Sequence, residues 1–187
     1  MTAKNRRLLL PYSIGLLVIL LDQYTKHLVR QSIPLGVSWN PIAWLEPIMT
    51  FTHVRNSGAA FGLFPELSVI FILVALAVIV GIVIYYRQLT QASLLLRVAF
   101  GLQLGGATGN LIDRLAFGYV TDFVDFRVWP VFNVADSAVV VGTALLAYYA
   151  LFAGEPALDD ASETVVDDVE PYDIPERPDG ADCVNPR

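Results

Sequence analysis

Four apolar stretches of bilayer length constrain this chain more than any other feature. They run roughly over Leu8–Val29, Leu67–Tyr86, Leu94–Ile112 and Val131–Phe152. A helix needs about 20 apolar residues to cross about 30 Å of hydrocarbon, and each stretch is near that length. Hydrophobic residues make up 55% of the chain and the mean hydropathy is +0.56. A soluble bundle of 187 residues would have to bury nearly every face of Val69–Val83, and so short a chain has little interior for that. The expected fold is an all-α polytopic membrane protein with four transmembrane helices.

The first stretch follows Lys4, Arg6 and Arg7, as a secretory signal would. It is too long for one, holds Asp22 and Lys26, and is followed by no small-residue cleavage pattern. A retained helix is expected. The three basic residues put the N-terminus in the cytoplasm, and Arg87 and Arg97 put the link between the second and third spans there too. Lys26 and Arg30 are a weaker opposing signal. Four crossings return the C-terminus to the cytoplasm.

The extracytoplasmic side then receives Gln31–Glu66 and Arg114–Pro130. In the first of these, Ile48–Val54 is rich in β-branched and aromatic residues and predicts a strand. Trp39 and Trp44 suit the headgroup layer. A small extracytoplasmic β-sheet on the membrane surface is expected, with room for a short amphipathic helix. Domain 1–153 is read as the membrane unit and 154–187 as a cytoplasmic tail. Of the 18 acidic side chains, 11 lie in 155–187, with only two basic ones, so the rest carries 7 acids against 10 bases. Such a tail, with five prolines, is predicted to be disordered. It also holds Cys183, the single cysteine, which argues against thiol catalysis. His27 and His53 have no metal-ligand spacing, and no metal is expected. There is no nucleic-acid patch, and a monomer is expected.

Polar residues gather at one depth. Asp22 and Lys26, four apart on the first helix, are placed to pair. Asn110 and Asp113 share a face of the third helix, with Arg114 beside them. Arg55 and Asn56 follow the predicted strand. Asp122 and Asp125 lie in the outer connection, and Asn133 and Asp136 open the fourth helix. An ionisable residue in a membrane chain needs a partner or a task. Two aspartates sharing one proton can hydrolyse an amide, one ionised and activating water, the other protonated and donating to the carbonyl or amine. Asp122 and Asp136, fourteen residues apart, are the best-placed pair. Asp113 beside Arg114 reads as an ion pair or a substrate-orienting group, Asp22 with Lys26 similarly, and Asp125 as loop surface. Gly105-Gly106-Ala107-Thr108-Gly109 lets a neighbouring helix or substrate backbone come close. Asn56-Ser57-Gly58-Ala59-Ala60-Phe61 is either a substrate clamp or a plain loop.

Five motifs in order resemble the lipoprotein signal peptidases, the bacterial type II signal peptidases. They are Asp22-Gln23-x-x-Lys26, Asn56-x-Gly58-Ala59-Ala60-Phe61, Gly105-Gly106-Ala107-x-Gly109-Asn110-x-x-Asp113-Arg114, Val120-x-Asp122-Phe123 and Phe132-Asn133-x-Ala135-Asp136. Together they cover about residues 8–152. The resemblance implies an aspartyl endopeptidase of the bacterial inner membrane. It would cleave prolipoproteins immediately before a diacylglyceryl-modified cysteine, without metal or organic cofactor, and would be blocked by globomycin-type inhibitors. It further implies that Asp122 and Asp136 are catalytic. Asn56, Gly58, Asn110, Arg114 and Asn133 would hold substrate and dyad, and Asp22, Lys26 and Asp113 would maintain the site. Prolipoproteins and membrane lipid are the implied partners. The long acidic tail departs from the compact family pattern.

Other functions fit the residues less well. A magnesium-dependent lipid phosphotransferase wants a compact carboxylate set, which the spacing of Asp122 and Asp136 does not supply. A small transporter or proton-conducting subunit would carry its acids nearer the midplane. A structural anchor for the tail leaves the polar cluster unexplained.

Overall fold

The computed structural model describes residues 3–58, 67–88 and 93–153. The acidic tail with Cys183, and Ala59, Ala60 and Phe61 of the loop motif, lie outside the described residues. Four helices dominate: α1 (Ala3–Ser32), α2 (Leu67–Gln88), α3 (Leu94–Phe117) and α4 (Val134–Tyr148), the last running into a π-helical turn at Tyr149–Ala153. Between them lies a three-stranded antiparallel sheet of β1 (Ser38–Trp39), β2 (Thr50–Asn56) and β3 (Val120–Asp125), in that order. The protein is a mostly helical membrane protein with a small sheet.

Helix α3 is central and packs on the other three. Two adjacent glycines make this possible. A Cβ on Gly105 would sit 2.7 Å from the Gly15 carbonyl oxygen of α1, and one on Gly106 would sit 2.5 Å from the Ala135 carbonyl oxygen of α4. Both distances are shorter than real Cβ contacts, so the two glycines let α1 and α4 approach α3 from neighbouring sides. On a third side, Tyr86 of α2 joins Leu96 and Phe100 of α3 in an apolar cluster, with the Tyr86 and Phe100 rings edge to face.

Of the four expected spans, two meet the length and hydropathy of a membrane helix. These are Ser68–Tyr86, at mean hydropathy 3.1, and Val134–Phe152, at 1.6. Among the described residues, α1 and α3 supply no further such stretch. They carry Asp22, Gln23, Lys26 and Arg30 on one, and Arg97, Gln103, Asn110, Asp113 and Arg114 on the other. By contrast α2 exposes Val69, Ile70, Leu73, Val74, Val80 and Ile84 over one broad apolar face.

The sheet exceeds expectation. The predicted strand at Ile48–Val54 is observed as β2, two residues later. Segment 120–125, read as outer connection, is a strand paired with it. Where a short amphipathic helix had room, the described residues of the segment hold a 3-10 turn at Ala43–Leu45. The β2–β3 register passes from Phe51↔Val124 to Val54↔Asp122, so β2 carries one extra residue opposite β3. Such a bulge bends a strand and re-aims its neighbours, and here it falls beside Asp122. After β3 the chain folds back so that Phe132 and Val124 exchange backbone hydrogen bonds. That return delivers Asn133 and α4 directly against the strand.

Candidate active site

The start of α4 is built by its own site residues. Asn133 is the N-cap: its side-chain oxygen accepts the Asp136 N–H at 2.9 Å, and the Asp136 carboxylate accepts the Asn133 N–H at 3.2 Å. This is a capping box, with Asn and Asp in the roles usually held by Ser or Thr and Glu. The spacing Asn133-x-x-Asp136 carried that signal in the sequence. It locks the Asp136 side chain at the helix mouth, where the dipole favours negative charge.

Asp122 and Asp136 come together on this cap. Asn133 Nδ2 donates to Asp122 Oδ1 at 2.6 Å, while the same residue's backbone N–H holds Asp136. Asn56 Nδ2 donates to the other oxygen of Asp122 at 2.9 Å, and Asn110 Nδ2 donates to Asp136 Oδ1 at 2.7 Å. Asn56 is aimed by Gly58, whose N–H donates to its side-chain oxygen at 2.9 Å. Gly58 has φ +94, and a Cβ there would meet the Phe71 ring at 2.6 Å, so this position requires glycine on both counts. Asp122 is 1% exposed and Asp136 is half-buried. Burial, and then the negative charge of Asp136, push the Asp122 carboxyl up from 3.8 to about 7, against the Asn56 and Asn133 hydrogen bonds. Among the described residues neither carboxylate has an ion-pair partner.

Beneath the pair lies a second layer of opposite character. Lys26 is fully buried, 2.8 Å from Asp22 Oδ2 and 3.4 Å from Asp113 Oδ2. It also donates to Asn110 Oδ1 at 2.9 Å, an oxygen that Asn133 Nδ2 reaches at 3.1 Å. Asn110 thus joins the two layers. Arg30 completes the charge balance at 3.5 Å from Asp113. Asp22 accepts the Ala135 N–H and Asp113 accepts the Thr121 N–H, both at 2.9 Å. Those amides stand beside Asp136 and Asp122 in the chain, so the lower layer fixes the backbone on which the upper layer stands.

The expected Asp22–Lys26 pair is present. The expected pairing of Asp113 with Arg114 is not. Asp113 turns to Lys26 and Arg30, whereas Arg114 lies over the Phe71 ring at 5.1 Å, donates weakly to the Asn110 carbonyl and keeps a buried, unpartnered Nε. Residues adjacent in a helix point about 100° apart, which is the physical reason. Asp125, read as surface, accepts from the Thr52 hydroxyl and the Arg127 N–H and ties the sheet edge to the following turn.

Three contributors were given no role in the site from the sequence, although Gln23 stands in the first motif. Gln23 Nε2 reaches Asp22, the Gly109 carbonyl and Asp113 at 3.1 to 3.2 Å. Arg30, met only as a topology signal, bonds the Thr121 hydroxyl at 3.0 Å and lies over the Phe117 ring. Thr121 itself is fully buried. Helical spacing offered one clue: residues 22, 26 and 30 form a single stripe.

Residues 14–152 match the family model described as Signal peptidase (SPase) II. The chain belongs to the signal peptidase II family. It is 47% identical to a lipoprotein signal peptidase of Halothermothrix orenii (strain H 168 / OCM 544 / DSM 9562) over 138 residues, covering 74% of this chain and 92% of that protein. It is 43% identical to a lipoprotein signal peptidase of Bacillus subtilis (strain 168), covering 74% and 90%. Two solved structures, described as bacterial membrane enzymes obtained by the in meso method, share 30% identity with it. Their TM-scores are 0.67, covering 86% of this chain, and 0.69, covering 78%, each with 94% of the solved chain. As a member of this family the chain is an aspartic endopeptidase, and it is membrane-associated.

Proposed function

We propose that Asp122 and Asp136 are the catalytic dyad with which this signal peptidase hydrolyses its substrate. The enzyme removes signal peptides from prolipoproteins. We read the scissile bond as the one preceding the diacylglyceryl-modified cysteine. The observation that carries the dyad is the shared Asn133, which holds Asp122 by its side chain and Asp136 by its backbone.

The environments divide the labour. Buried Asp122, with its pKa near 7, keeps a proton to give. Asp136, half-buried and held at both oxygens, takes a proton from water, which adds to the peptide carbonyl as Asp122 protonates its oxygen. Collapse breaks the C–N bond as the Asp122 carboxylate recovers its proton from the intermediate's hydroxyl and Asp136 passes the water-derived proton to the leaving amine. The signal peptide departs as an acid and the lipidated cysteine keeps the new amine. Asn56, Gly58, Asn110, Arg114 and Asn133 orient substrate and dyad, and Asp22, Lys26 and Asp113 hold the site together.

In this reading all four helices cross the inner membrane, both termini are cytoplasmic, and the dyad works at the extracytoplasmic edge. Residues 1–153 form the peptidase domain, with 154–187 a cytoplasmic appendage, and the enzyme acts as a monomer. The charged stretches of α1 and α3 are tolerated because their charges face the bundle interior, where Asp22, Lys26 and Asp113 are fully buried. Exposed Trp39, Trp44 and Trp129 suit the headgroup layer.

The test is cleavage of a diacylglyceryl-modified prolipopeptide by the purified enzyme, with products read by mass spectrometry. A new N-terminus at the modified cysteine, suppressed by globomycin, is expected. Cleavage at another bond, or equal cleavage of the unlipidated peptide, would overturn the stated specificity.

A further inference from the structure

A groove of about 510 Å³ lies away from the dyad, between the C-terminal half of α1 and the sheet. Thr25, Leu28, Val29 and Ser32 form one wall, and Trp39, Phe51 and Phe123 the other. Only two hydroxyls interrupt this apolar lining. The aromatic wall is continuous, with the Trp39 and Phe51 ring centroids 6.0 Å apart and Phe51 and Phe123 6.5 Å apart. Phe123 follows Asp122 in β3, and successive strand residues point to opposite faces. The groove therefore opens on the α1 side of the strand and the reacting carboxylate on the other.

Both walls run on into exposed apolar surface. Along α1 this is Leu17, Leu20, Leu21 and Tyr24, and along the sheet segment Leu35, Val37, Ile42 and Trp44. A cleft joining two such surfaces has an apolar, chain-shaped solute as its neighbour at every point, and water in it would lack partners. From these observations we propose that the groove binds one acyl chain of a bilayer glycerophospholipid. This rests on the reading that α1 spans the membrane. The position behind β3 separates the chain from the substrate's own acyl groups, whose cysteine must sit at the dyad. A bound chain would extend the core that Val29, Ile33, Phe51 and Phe123 already form between α1 and the sheet and help hold the strand bearing Asp122 against the helices.

The test uses the full-length enzyme in vesicles containing a glycerophospholipid with a photoreactive group in its acyl chain, with adducts mapped by mass spectrometry. Labelling at Trp39 and Phe51 is expected to fall at least about fivefold in Ser32→Trp, which fills the groove, while labelling at Leu17 and Leu20 stays constant. Labelling at Leu17 and Leu20 with none at Trp39 and Phe51 would overturn the groove alone. Absence of label at Leu17 and Leu20 would overturn the membrane placement of α1. Displacement of the groove label by a diacylglyceryl-modified peptide, with no effect of Ser32→Trp on it, would assign the occupant to the substrate and overturn the phospholipid.

Discussion

The site stacks two pairs of aspartates that differ in whether cations hold them. Asp22 and Asp113 are fully buried and neutralised by Lys26 and Arg30. Asp122 and Asp136 sit above them and are held by neutral amide donors from Asn56, Asn110 and Asn133. An ion-paired carboxylate is tied to its charge and to its place. A carboxylate held by amides, close to a second one, has a proton affinity that the neighbour can raise, which acid–base work at neutral pH demands. Asn110 serves both layers, giving its nitrogen to Asp136 and its oxygen to Lys26.

The largest effects should separate the layers by activity. Asp122→Asn and Asp136→Asn should each lower turnover of the lipidated prolipopeptide by at least about 10²-fold, the minimum typical of a lost general acid or base. Folding, followed by melting in detergent, should persist. Near-normal turnover in either folded variant would remove that residue from the dyad.

Lys26→Met should reverse the pattern. It strands Asp22 and Asp113 without their buried partner, and should cost about 3–5 kcal/mol of stability. A shift of the melting transition is the readout, and unchanged melting with lost activity would move Lys26 into the upper layer. Gly106→Ala follows in size. Its Cβ meets backbone, the Ala135 carbonyl oxygen, which cannot swing away. Overpacking of this kind costs about 1–3 kcal/mol, and the melting transition should fall accordingly.

The finest distinction is in pH dependence. Asp122 binds its proton more tightly folded than unfolded, since its pKa rises from 3.8 to about 7. Its contribution to stability is therefore full below pH 3.8 and is lost as pH rises through about 7. Asp122→Asn should erase that loss, so its stability relative to the parent should improve between those values and then level off. Asn56→Leu removes a hydrogen bond that favours the charged form, and should move the basic limb of the activity profile to higher pH. A stationary limb would mean that Asp122 is not the proton donor.

Much of this was legible in the linear chain because it depended on spacing. Bilayer-length apolar runs, the i,i+4 pair Asp22–Lys26 and the i,i+3 pair Asn133–Asp136 follow from helical periodicity. The five ordered motifs carried the family. Less legible was strand β3, whose Val120–Asp125 reads as loop until β2 pairs with it. The partner of Asp113 was also hidden, because sequence adjacency to Arg114 says nothing about which side chains a helix turns inward.

The sequence by itself determined the solvent this protein folds in, the helices that solvent requires and the residue types available for hydrolysis. All of these follow from local composition and period. Which partners each aspartate meets, ammonium and guanidinium for one pair and amides for the other, was decided only by the tertiary structure. Proton affinity depends on burial and on neighbours that arrive from α1, β2, α3 and α4, and the fold alone brings those four segments to one point.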